Sequence, residues 1–102
     1  MRALKAAVPL IAFALVSCAE QSASWAAAHA EIHGSPPLTR TDVLEIARLI
    51  CRTTTDPIIA FYRAHRVRGR ERVIVVTRLE FGGASGYTVE KTGSFWRILP
   101  ID

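Results

Sequence analysis

From Leu38 to Cys51 the apolar positions return at a helical interval. Val43, Ile46, Ala47 and Ile50 share one face, Leu44 and Cys51 widen it, and Asp42, Glu45, Arg48 and Arg52 occupy the opposite side. Thr39 is placed to cap this helix with Asp42 as its capping-box partner, and Leu38 and Val43 stand at the staple positions. Three β-branched residues followed by Asp56-Pro57 end it, because the proline drives the residue before it out of the α region. Beyond Pro57 the period falls to two. Residues 58–65 predict a strand, residues 68–70 a turn, and residues 72–81 the strongest strand, with Val73, Val75, Thr77, Leu79 and Phe81 on one face. After the glycine-rich loop 82–86, residues 87–91 and 95–99 predict a hairpin about Thr92-Gly93-Ser94. The expected class is α+β: one helix packed on a four-stranded antiparallel meander over residues 38–102.

The pattern ahead of residue 38 is different. Arg2 and Lys5 precede an uncharged apolar run, residues 6–16, which is about half as long as a bilayer-spanning helix and holds Pro9. Residues 1–17 therefore read as a secretory signal peptide. Residues 18–37, rich in Ala and Ser and ending in Pro, read as a flexible tether, with Trp25 at the membrane interface.

Leu15-Val16-Ser17-Cys18 resembles the lipobox of bacterial lipoproteins. The resemblance implies cleavage before Cys18, a diacylglyceryl group on its thiol, and a lipid anchor as the membrane partner. With Ala19 rather than Asp next, it implies the periplasmic face of the outer membrane. The competing reading is ordinary cleavage after Ala19 and a soluble periplasmic or secreted product. The ending Gly86–Ile98 resembles the tail of cystatin-like and NTF2-like small domains, where a curved sheet wraps a helix. That likeness bears on fold and implies no site residues.

Composition changes this picture little. The formal net charge is +4, and without Arg2 and Lys5 it is +2, too near balance to argue for nucleic acid, which export also disfavours. Charge is concentrated in one place. Arg63, His65, Arg66, Arg68, Arg70 and Arg72 surround a single turn and form the candidate patch for an anion or an acidic partner. The alternative is a solvated hairpin end whose charges deter edge-to-edge pairing.

Other chemistry is sparse. Cys51 lies on the apolar side of the helix, where a small buried hydrophobe is the usual role. His29 and His33 have an i, i+4 spacing with Glu31 between them but lack a third ligand, so no metal or other cofactor is expected. Residues 82–86 lack the lysine and the following helix of a phosphate loop. The carboxylates form no pair placed by spacing, so no catalytic residues are assigned. Of Phe95 and Trp96, on opposite faces of one strand, one belongs to the core and the other is free to anchor a partner. The expected function is an exported, lipid-anchored binding module for phospholipid, lipopolysaccharide or peptidoglycan anions, or for an acidic protein. The alternative is a small periplasmic enzyme subunit using Cys51 or His65.

Overall fold

The computed structural model describes residues 21–100, so the residues expected to form a signal peptide and lipobox, Cys18 among them, lie outside the described residues. The fold is α+β. Residues 21–29 form helix α1, followed by β1 (Glu31–His33), α2 (Arg40–Cys51), β2 (Ile58–Val67), β3 (Arg70–Arg78), β4 (Ala84–Thr92) and β5 (Phe95–Ile98). The five strands make one mixed sheet in the order β1-β2-β3-β4-β5. Strands β2 to β5 are the expected antiparallel meander. The fifth strand, β1, pairs with β2 in parallel, Ile32 opposite Phe61 and His33 opposite Tyr62. Parallel neighbours need a crossover connection, and α2 supplies it.

Helix α2 follows its pattern closely. Val43, Ile46, Ala47 and Ile50 are buried against Phe61, Val73, Val75, Val89 and Trp96 of the sheet. Full burial of each large aliphatic side chain is worth about 1.5–3 kcal/mol. Thr39 Oγ1 accepts from the Asp42 amide at 3.1 Å, the N-cap bond. The Asp42 carboxylate is used elsewhere than in a capping box: it accepts from Trp96 Nε1 at 3.4 Å and lies 3.8 Å from Lys91 Nζ, fastening the first turn of α2 to the end of the sheet.

The largest departure from expectation is the segment read as a tether. Residues 21–29 are helical, and Ala23 and Ala26 are fully buried in the core, with Ala27 and Ala30 packed beside them. These four alanines recur at i, i+3, i+4 and i+7, one helical stripe whose small side chains let α1 approach closely. A stripe of methyl groups gives a faint hydropathy signal, and that is why it resembled a spacer. Strand β1 carries no pattern at all: it is three residues long and exposed throughout. Gly34 follows it with φ +123°, where a Cβ would come within 2.5 Å of Arg63 Cβ, so the glycine permits this crossing.

Strand ends also differ: β3 begins at Arg70, and β4 begins at Ala84, inside the stretch expected as a loop. Strand β3 stops at Arg78, leaving Leu79 and Phe81 in a loop with Gly82 and Gly83 at positive φ; Phe81 is 96 % exposed rather than in the core. Strand β2 runs on to Val67, and Arg68 and Gly69, both at positive φ, make a two-residue hairpin turn.

Candidate anion-binding site on the open sheet face

Alternation along the strands gives the sheet two faces. Phe61, Val73, Val75, Val89 and Trp96 point to the helices. The cross-strand partners of the other parity, such as Tyr62 with Ile74, Ile74 with Thr88, and Arg72 with Glu90, lie on the opposite face. Neither described helix packs there, and Tyr62 and Ile74 remain 40 % and 39 % exposed.

At the end of this face near the β2–β3 turn, Ala64, Arg72, Glu90 and Arg97 stand in one row across four strands, each opposite the next. Arg72 Nε donates to Glu90 Oε2 at 2.8 Å. Arg70 Nη1 and Arg97 Nη2 donate to Oε1 at 3.3 and 3.5 Å. Three guanidiniums enclose one carboxylate so fully that Glu90 is only 3 % exposed on a face neither described helix covers. Arg72, then Arg70 and Arg97, hold its carboxyl below the usual range against the opposing effect of burial. Arg68 joins them in lining a hollow of about 490 Å³ between Val67 and Leu99. Four guanidiniums against one carboxylate leave a surplus of three positive charges.

The arginines expected as one patch thus fall into two groups. Arg63 and Arg66 share Glu71 at 3.4 and 3.2 Å, and Arg63 Nε also donates to the Pro36 carbonyl at 2.8 Å. These bonds tie β2 to the segment after β1 and use charge structurally. Arg68, Arg70 and Arg72 join Arg97 at Glu90. His65 is exposed on β2 between the groups and lines neither the arginine hollow nor a neighbouring one of about 340 Å³ at the hairpin tips. Arg97 and Glu90 escaped the sequence reading because only strand register brings residues 72, 90 and 97 together.

The remaining candidates stand apart. Cys51 is half-buried and borders an apolar hollow of about 640 Å³ with Trp25, Ala26, Pro57 and Ile58; burial pushes its thiol up. His29 stacks on Trp25 at 4.6 Å and its Nδ1 donates to the Trp25 carbonyl, while His33 stacks on Tyr62 at 4.5 Å. With one on a helix and the other on a strand, their helical spacing is not realised. No group of three metal-binding side chains occurs among the described residues. Trp96 is the buried member of its pair and Phe95 is 65 % exposed. No described helix is long and apolar enough to cross a membrane. Comparisons with protein-family models, curated proteins and solved structures found no match.

Proposed function

We propose that this is a small exported envelope protein, anchored by lipid at Cys18, whose domain binds an anionic partner through the arginine hollow rather than catalysing a reaction. The observation that carries this reading is the convergence of Arg70, Arg72 and Arg97 on buried Glu90, with Arg68 beside them. Glu90 offsets the mutual repulsion of the guanidiniums and fixes their planes, leaving N–H donors unspent. That is a preorganised receptor for phosphate or carboxylate oxygens. The state of Cys51 supports a binding role over catalysis: a thiol pushed up by burial stays protonated and is a weak nucleophile at neutral pH.

Vesicle sedimentation tests the reading. The purified protein should co-sediment with phosphatidylglycerol vesicles at low ionic strength and be released as salt rises, because exposed charges are screened beyond about 10 Å at 0.1 M. Arg70→Ser with Arg97→Ser should weaken retention at least tenfold. Retention indifferent to both salt and these substitutions would rule the site out.

A further inference from the structure

We infer that the arginine hollow faces away from the membrane that holds the anchor and engages an anionic lipid surface in trans. The inference rests on the anchor and the anion site proposed above, and adds the direction in which the site acts.

Two placements carry it. Gln21 and Ser22, at the start of α1, border the apolar hollow with Pro57 and Ile58, at the start of β2. The arginine hollow is bordered by Val67 and Arg68, at the other end of the same strand. The ten residues of β2 at about 3.3 Å each separate the two by about 30 Å. The separation also runs through the thickness of the molecule. Helix α1 contributes Ala23 and Ala26 to the core on the helix side, whereas the arginines lie on the opposite face of the sheet.

Only three residue steps separate Cys18 from Gln21, a reach of about 10 Å at full extension. A flexible spacer of twenty residues would have let the domain present any side to its own leaflet. With α1 packed into the core, that freedom is lost. Standing the domain on its anchor end lifts the arginines about 30 Å off the lipid, several times the screening length of about 8 Å at physiological ionic strength. Laying the open face down instead puts the sheet and the arginine side chains between α1 and the bilayer, more than a link of about 10 Å spans. The partner is therefore an anionic lipid surface, its headgroup phosphates matched to the surplus of guanidiniums, that approaches from the far side.

Reconstitution tests this with the lipid-modified full chain purified from membranes. Neutral phosphatidylcholine vesicles carrying the protein are mixed with acceptor vesicles containing phosphatidylglycerol, and clustering is followed by energy transfer between dyes in the two populations. Clustering is expected at low salt, reversed by added salt, and reduced at least tenfold by Arg70→Ser with Arg97→Ser. It should persist when phosphatidylglycerol is also placed in the protein's own vesicles, since the site does not reach that leaflet. Absent clustering, or clustering abolished by anionic lipid in cis, overturns the inference while the detergent-solubilised protein still binds acceptor vesicles. Failure of the solubilised protein to bind them overturns the anion site itself, and failure of the protein to stay on its own vesicles overturns the anchor.

Discussion

Arg68 is the non-glycine residue with positive φ among the described residues, at φ +54°, followed by Gly69 at +75°. A two-residue hairpin turn of this kind favours Asn-Gly, because asparagine tolerates the left-handed region that costs other side chains about 1–2 kcal/mol. An arginine here sacrifices backbone comfort and adds a cation to the hollow. Arg68→Asn should therefore stabilise the domain by about 1 kcal/mol, seen as a Tm several degrees higher, while weakening retention on anionic vesicles. A Tm that stays put or falls would show that the turn holds arginine without strain.

At the scale of elements, α1 decides how the protein can act. A spacer and a packed helix have similar compositions here and differ only in whether Ala23 and Ala26 touch the core. Ala26→Asp would place an unpaired charge in the core at a position 2 % exposed, and should cost several kcal/mol in denaturant unfolding. Ser24→Asp, on the exposed side of the same helix, should be tolerated. Unchanged stability of Ala26→Asp would detach α1 from the domain and restore a swinging tether. The clamp at the other end of the molecule has the same character: Trp96 and Lys91 hold Asp42 only because α2 begins over the end of β5.

The stability of the whole molecule should carry the signature of Glu90. Its carboxyl is held below the usual range in the folded state, so it contributes stability that is fully present above the unfolded carboxylate range and disappears as pH falls through the lowered folded value. The Tm should therefore fall on acidification below that range. In Glu90→Gln this part of the acid dependence should flatten, with lower stability at neutral pH, because three guanidiniums then face one another without a counter-charge. A variant with the parent's stability and pH profile would show that the arginines do not need Glu90 to stay in place.

The chain's own pattern was enough to determine the elements whose burial is large and periodic. Helix α2 with its buried face, the three hairpin-linked strand pairs and the α+β class are all written in residues 38–99, because Ile, Val and Phe at intervals of 3.6 or 2 leave few alternatives for burying them. The concentration of arginine near residues 63–72 was equally plain. What only the tertiary structure decided depends on weak signals or on register. Four alanines pack as α1 because a sheet and a second helix are there to receive them, and β1 exists because β2 offers an edge. The site itself is a product of register. Arg72, Glu90 and Arg97 are as many as 25 residues apart in the chain and become neighbours when three strands align, while Arg63, on the opposite face, and Arg66, beyond the register shift between Ala64 and Val67, bind Glu71 instead. A local charge run states how much positive charge is present; the pleat of the sheet divides it between holding the fold together and facing a ligand.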